Sequence, residues 1–170
     1  MQITGKKIVE QARTWLGTKY HHQGRLKKAD TYRGGIDCIG LVMGVAEELE
    51  IKGANNKPLK YYDRFDYSAI PDGKSLPEFL DKHLIKKKYK NKKSENNKNI
   101  FVKTLSAIKL GDILLFKLFQ NPQHVGIVSR DAAGNIGIIH CYSGSGMVVE
   151  HLLSPAWVRM IVGCYRFSKK

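Results

Sequence analysis

The sequence predicts an α+β fold in which helices come first and an antiparallel sheet follows. Two observations carry this prediction. Apolar residues recur at helical spacing up to about residue 84, and short β-type runs separated by turn residues follow from residue 110. A length of 170 residues with 42% hydrophobic content is enough to bury a sizeable core. We therefore expect a single domain over residues 1–170, with helices and strands segregated along the chain.

Three helices are predicted from their start signals. Thr4 is placed to cap a first helix that ends near Gly17, and Asp37 is placed to cap a second helix that begins at Cys38. Ser75 and Glu78 have the spacing of a capping box for a third, short helix. The later part of the chain predicts five strands, at about 113–118, 124–129, 136–142, 147–152 and 160–167.

The formal net charge of +14 is unevenly distributed. The stretch 82–103 holds nine lysines and a single acid, Glu95, and we interpret it as a lysine-rich insertion or loop. Such a stretch can attract nucleic acid, an anionic cell envelope or an acidic partner. Lysine runs with few aromatic residues rarely bind bases, so we favour a solvated loop and expect no specific nucleic-acid binding.

The N-terminal residues carry no apolar core behind their charges, so we expect synthesis in the cytoplasm without a signal peptide. No apolar run is long enough to predict membrane insertion. Cys38, Cys141 and Cys164 are widely separated, which argues against a disulfide scaffold or a structural zinc site. Cys141 and Cys164 lie in strand patterns, and we expect both to be buried.

Cys38 is the candidate nucleophile. A thiol in the first turn of a helix faces unpaired N–H groups and the positive end of the helix dipole, which predicts a lowered thiol pKa. His124 and His140 lie on consecutive predicted strands, and period-two alternation allows both side chains to share one face. If the start of the Cys38 helix packs against that face, thiol, base and orienting group come into line. The same three residues are an alternative metal-ligand set, which we consider less favourable because no fourth ligand is evident.

Five motifs in this order resemble the NlpC-type cell-wall cysteine peptidases, a papain-like superfamily. In chain order, the motifs are Leu16-Gly17-Thr18-Lys19-Tyr20, Asp37-Cys38-Ile39-Gly40-Leu41-Val42, Gly111-Asp112-Ile113-Leu114-Leu115-Phe116, His124-Val125-Gly126-Ile127 and Ile139-His140. A narrower resemblance, to the phage-tail and gene-transfer-agent branch, rests on residues 17–26, on Tyr142-Ser143-Gly144 and on Pro155-Ala156-Trp157.

The resemblance implies a papain-like domain that cleaves peptidoglycan stem peptides, commonly between γ-D-glutamate and a diamino acid. It implies Cys38 as nucleophile, His124 as base and His140 as the orienting residue, with no cofactor and no metal. Tyr20 and Asp37 are candidate substrate-binding or oxyanion residues. Ile39 stands where many members have a serine that helps bind the substrate amine. The branch implies delivery to the cell wall in a phage tail or phage-like particle, whose proteins would be partners.

Three alternatives remain open at this point. One is an N-acetylmuramoyl-L-alanine amidase of similar architecture. A second is a non-enzymatic structural component of a tail, and a third is a nucleic-acid-binding protein that uses the lysine-rich stretch 82–103.

Overall fold

Helices and a small strand pair occupy the first half of the chain in the computed structural model, which describes residues 3–88 and 107–168. The helices are α1 (Gly5–Arg13), α2 (Cys38–Glu48) and α3 (Ser75–His83). Two short strands, β1 (Arg25–Leu26) and β2 (Gly35–Ile36), pair between α1 and α2. The connector after α2 contains the short 3-10 helices Ala54–Asn56 and Leu59–Tyr62.

A six-stranded antiparallel sheet forms most of the second half. Its strands are β3 (Ile85–Lys86), β4 (Ile113–Leu118), β5 (Asn121–Arg130), β6 (Ile136–Cys141), β7 (Val148–Leu152) and β8 (Ile161–Arg166), in the order β3-β8-β4-β5-β6-β7. A short helix, α4 (Pro155–Met160), connects β7 to β8 and is capped by Ser154. The predicted α+β fold and its five principal strands are confirmed.

The predicted start of α2 is also confirmed. Asp37 has extended backbone angles, and its side chain accepts a 2.8 Å hydrogen bond from the N–H of Gly40. This contact satisfies one of the N–H groups that a helix leaves unpaired at its start. Glycine is required at position 40 because a Cβ there would lie 2.4 Å from the carbonyl oxygen of Gly24. The loop before β1 can therefore lie directly against the first turn of α2.

The predicted capping box at the start of α3 is not formed. The N-cap residue is Lys74, and the side chain of Ser75 makes no cap. Asp72 instead accepts hydrogen bonds from the backbone N–H groups of Lys74 and Ser75, at 2.8 and 2.9 Å. A carboxylate three residues upstream can reach the same unpaired donors, so it replaces the hydroxyl that the sequence pattern suggested.

The two faces of the large sheet have separate apolar cores. On one face, α1, α2 and α3 pack against side chains that include Val125, Ile127 and Ile139. On the other face, residues of α4 pack with Phe116 and Ile138. Each fully buried aliphatic side chain contributes about 1.5–3 kcal/mol relative to exposure, so both faces stabilise the sheet.

The structure does not test two of the sequence predictions, the lysine-rich loop and the single domain. Most of the lysine-rich stretch 82–103 lies outside the described residues, and the single-domain assignment stays a prediction. Within residues 3–88 and 107–168, the helices are too short or too polar for any of them to cross a membrane.

Candidate active site

Cys38 is the first residue of α2, and its thiol is free. The residue is partly exposed and lines a cavity of about 1290 Å³. His124, Tyr142 and Trp157 line the same cavity, and so does the predicted site residue Tyr20. The structure thus brings the candidate nucleophile and the candidate base to one concave surface large enough for a peptide.

The thiol of Cys38 is not acidic in this setting. Burial and then the neighbouring Asp37 carboxylate raise its pKa to about 12. Hydrogen bonds from the backbone of Val125, Ile39 and Cys38 itself lower the pKa, but by less. The sequence predicted the opposite direction from the helix dipole alone. The resting thiol is therefore protonated and needs a base to become a nucleophile.

The predicted proximity of the two histidines is confirmed. Gly126 pairs with His140 across β5 and β6, which places His124 two residues along the same face. The Nε2 atom of His124 lies 2.8 Å from the Nδ1 atom of His140, in a buried hydrogen bond. Since Nε2 of His124 is used in this bond, Nδ1 is the nitrogen that remains for a thiol proton.

The face of the sheet on which α2 packs differs from the prediction. The apolar residues of α2 lie with Val125 and Ile127, on the face opposite the one to which His124 and His140 belong by alternation. A backbone hydrogen bond from Val125, the residue that follows His124 within β5, lowers the pKa of the Cys38 thiol against the effect of burial. Cys38 and His124 therefore share a cavity although α2 and the side chain of His124 belong to opposite faces of the sheet.

Both histidines are held in the neutral form. Burial, and then the neighbouring His140, lower the pKa of His124 well below its ordinary value. Burial, and then the nearby His151, lower the pKa of His140 to about 3. A neutral imidazole beside a protonated thiol is suited to take a proton during attack.

A third histidine, which sequence reasoning did not select, extends this pair. The Nε2 atom of His151 on β7 lies 2.9 Å from the Nε2 atom of His140. Ile138 pairs with His151 in the sheet, so alternation places His151 on the face of His140. The sequence places His151 in the next predicted strand, but the register of that strand against β6 depends on the turn at 143–146.

Aromatic rings enclose the histidines. Trp157 of α4 packs edge-on against His140, with ring centroids 4.8 Å apart, and lies 5.9 Å from the ring of His124. Phe116 and Tyr142 lie 5.8 and 5.7 Å from the ring of His124. This shell excludes water from the imidazoles and explains why burial dominates their pKa values.

Asp37 is occupied by donors of its own chain. Besides the N–H of Gly40, its carboxylate accepts a 2.9 Å hydrogen bond from the N–H of Gln23 and a 3.1 Å contact from Arg25. The hydroxyl of Tyr67 donates to it as well. Although Asp37 lines the cavity, its oxygens are already engaged, so its visible role is to anchor the start of α2.

Arg25 holds the loop around the cavity together. Its guanidinium makes a two-point ion pair with Asp63 at 2.7 and 2.8 Å, in addition to its contact with Asp37. The rings of Phe65 and Tyr67 lie 5.1 and 5.8 Å from the guanidinium. Sequence reasoning did not select Arg25 individually, because its partners are distant in the chain.

The remaining predicted residues have simpler settings. Burial, and then the Asp37 carboxylate, raise the pKa of Tyr20, so its hydroxyl stays a donor beside the cavity. Cys141 and Cys164 are buried, as predicted. Among the described residues, no group of three or more His, Cys, Asp or Glu side chains has the geometry to hold a metal ion.

The fold and this site define the class of the protein. A cysteine at a helix start beside a histidine pair on an antiparallel sheet is the architecture of the papain-like cysteine peptidases. The chain belongs to the NlpC/P60 family, whose family model matches residues 17–166.

Curated and solved relatives agree with this family. A protein of Escherichia coli strain K12, murein DD-endopeptidase MepS/murein LD-carboxypeptidase, is 25% identical over 154 residues, which are 89% of this chain. The match covers 56% of that relative, so the chain spans about half the length of the curated relatives it matches.

Two solved structures share the fold. An N-acetylmuramoyl-L-alanine amidase from Bacteroides uniformis superposes with a TM-score of 0.56 at 14% identity, over 97% of this chain and 99% of the other. An NlpC/P60 family protein from Bacillus cereus has a TM-score of 0.54 at 16% identity, over 98% of this chain and 41% of the other.

Proposed function

We propose that this domain is a cysteine peptidase that hydrolyses peptidoglycan stem peptides. In this proposal Cys38 is the nucleophile, His124 the general base and His140 the residue that orients His124. The observation that carries it is the cavity shared by Cys38 and His124, with His124 hydrogen-bonded to His140 at 2.8 Å. Membership of the NlpC/P60 family and the murein endopeptidase relative support the substrate class.

The mechanism begins from a neutral thiol and a neutral imidazole. As Sγ of Cys38 bonds to the scissile carbonyl carbon, Nδ1 of His124 takes the thiol proton. The tetrahedral intermediate collapses to a thioester, and the His124 imidazolium gives its proton to the leaving amine. Water then attacks the thioester with His124 again acting as base, which releases the acid product and restores the thiol.

The oxyanion of the intermediate needs donors close to the sulfur. The backbone N–H groups of Cys38 and Ile39 lie at the start of α2 and already contact the thiol. The protonated hydroxyl of Tyr20 is a further candidate donor on the cavity wall. Asp37 supports these donors indirectly, because it caps the helix that presents them.

The bond that we propose for cleavage joins γ-D-glutamate to the diamino acid. The amidase from Bacteroides uniformis is the reason to keep a second candidate, cleavage between the sugar and the peptide, since it has the same fold. Ile39 beside the nucleophile gives this position an apolar side chain in place of a hydroxyl. The masses of the products distinguish the two bonds.

We also propose that the domain acts within a phage tail or phage-like particle, on the basis of the sequence motifs in residues 17–26 and at Pro155-Ala156-Trp157. A purely structural role in such a particle is the competing hypothesis. Particles carrying Cys38→Ala separate the two, because an enzyme predicts impaired cell entry or transfer and a structural part predicts none.

The direct test is digestion of purified sacculi followed by mass spectrometry of the soluble fragments. We expect new peptide ends with the wild type and none with Cys38→Ala. Cys164→Ala is the matched control, since it removes a buried cysteine that belongs to the apolar core on the other face of the sheet. A Cys38→Ala protein that releases the same fragments would overturn the assignment of the nucleophile. Fragments that carry a free N-terminal L-alanine would favour the amidase.

A further inference from the structure

A continuous line of hydrogen bonds connects a backbone carbonyl to the general base. The Nδ1 atom of His151 lies 2.8 Å from the carbonyl oxygen of Leu152. Its Nε2 atom lies 2.9 Å from Nε2 of His140, and Nδ1 of His140 lies 2.8 Å from Nε2 of His124. Three imidazoles on three neighbouring strands are thus joined end to end.

The carbonyl at the far end sets the direction of every bond in this line. A carbonyl oxygen only accepts hydrogen bonds, so Nδ1 of His151 must carry a proton. When His151 is in its neutral form, its other nitrogen is an acceptor, and Nε2 of His140 must donate to it. Nδ1 of His140 is consequently an acceptor, and Nε2 of His124 must donate in turn. This leaves a lone pair on Nδ1 of His124.

We propose that His151 is a positioning residue, which selects the tautomer of His124 that can accept the thiol proton. The inference rests on the proposed function, in which His124 acts as the base toward Cys38. His151 does not touch the reacting atoms, and it acts only through His140. The Leu152 carbonyl can only accept a hydrogen bond and therefore fixes which nitrogen of His151 is protonated, whereas the bond between His124 and His140 alone could run in either direction.

The direction of the line follows from the neutral state of the two inner rings together with the neutral form of His151. Burial keeps both His124 and His140 uncharged, so each ring has one donor and one acceptor nitrogen. A group that could only donate at position 151 would reverse the whole line. His140 would then carry its proton on Nδ1, and His124 would be protonated on the nitrogen that has to act as base.

Three substitutions at position 151 separate this role from simple packing. His151→Gln keeps an acceptor for His140, His151→Phe removes the hydrogen bond but keeps a ring beside Trp157, and His151→Lys offers only donors. We expect kcat for release of sacculus peptides to stay within about threefold of wild type for Gln. A lost hydrogen bond of ordinary strength predicts a fall of about tenfold for Phe, with a larger fall for Lys. KM should change little in all three variants.

Tautomers are read directly by two-bond 1H–15N correlation spectra of the folded protein. We expect wild-type His124 and His140 to be protonated on Nε2, and His151→Lys to move both protons to Nδ1. Tautomers that are unchanged in His151→Lys, or equal kcat values for the three variants, would overturn the inference.

The two proposals fail separately. If wild-type protein releases no peptides, or Cys38→Ala is as active as wild type, the proposed function fails, and the spectra still decide the tautomers. If Cys38→Ala is inactive but His151→Lys has wild-type kcat, only the role of His151 is wrong. Circular dichroism of each variant checks that the fold is retained.

Discussion

The buried histidine pair predicts a steep loss of stability in mild acid. His124 is 2% exposed and His140 is fully buried, and both have lowered pKa values in the folded protein. In the unfolded chain an ordinary histidine has a pKa of about 6.5. Below that pH the unfolded state binds two protons that the folded state excludes, so stability present above pH 6.5 is lost as the pH falls.

The size of the loss follows from the proton linkage. At pH 5 an unfolded histidine gains about 2 kcal/mol from protonation when its folded pKa is far lower, and the pair gains about 4 kcal/mol. For His140 the loss continues toward its folded pKa of about 3. Domains are stable by only about 5–15 kcal/mol, so the pair removes a large part of the total between pH 7 and 5.

The assay is urea unfolding followed by circular dichroism at pH values from 5 to 8. The double variant His124→Phe/His140→Phe should lose about 4 kcal/mol less than wild type between pH 8 and 5, and each single variant about half of that. His21→Gln, which removes an exposed imidazole, is the control and should follow wild type. Carboxylates contribute equally to all five proteins and cancel in the comparison. The reasoning is refuted if the double variant has the same pH dependence as wild type.

Two further predictions concern charges around the cavity. Arg25→Ala leaves the Asp37 carboxylate buried without its cation and should lower the free energy of unfolding by about 3–5 kcal/mol in urea titrations. Arg64→Ala, which removes an exposed arginine, is the control. Equal losses of stability in the two variants would contradict the argument. Because the pKa of the Cys38 thiol is raised to about 12, its rate of alkylation by iodoacetamide should still increase above pH 8. Asp37→Asn removes a nearby negative charge and should make the alkylation faster at each pH. A rate that levels off below pH 7 in the wild type would show that a thiolate already exists there.

Local signals in the sequence were sufficient for the principal helices and strands and for the proximity of His124 and His140. Asp37 precedes a helical apolar pattern and is the cap in the structure, because an N-cap depends on contacts within three residues. His124 and His140 share a face because strand alternation and one short loop at 131–135 determine their register. The NlpC/P60 family, inferred from five ordered motifs, is confirmed by the family model.

Contacts between distant segments were not predictable in the same way. The ion pair of Arg25 with Asp63 joins residues 38 positions apart, through a connector with little periodic pattern. Alternation along a strand shows which residues share a face of the sheet. It does not show which of the two faces α2 covers. His151 lay in a strand that the sequence predicted, but its partner could be identified only once β6 and β7 were aligned.

Asp37 has two opposing effects on the pKa of the Cys38 thiol, which is raised although the sequence predicted that it would be lowered. Asp37 begins α2 by accepting the Gly40 N–H, and the helix that it begins presents about half a positive charge to the thiol. Burial is the larger cause of the raised thiol pKa, and the negative charge of the same Asp37 raises it further. In the proposed mechanism, a thiol that is protonated at rest requires that Nδ1 of His124 accept its proton. Under this proposal, the hydrogen-bond line from Leu152 through His151 and His140 supplies the acceptor that a protonated thiol at the start of α2 needs.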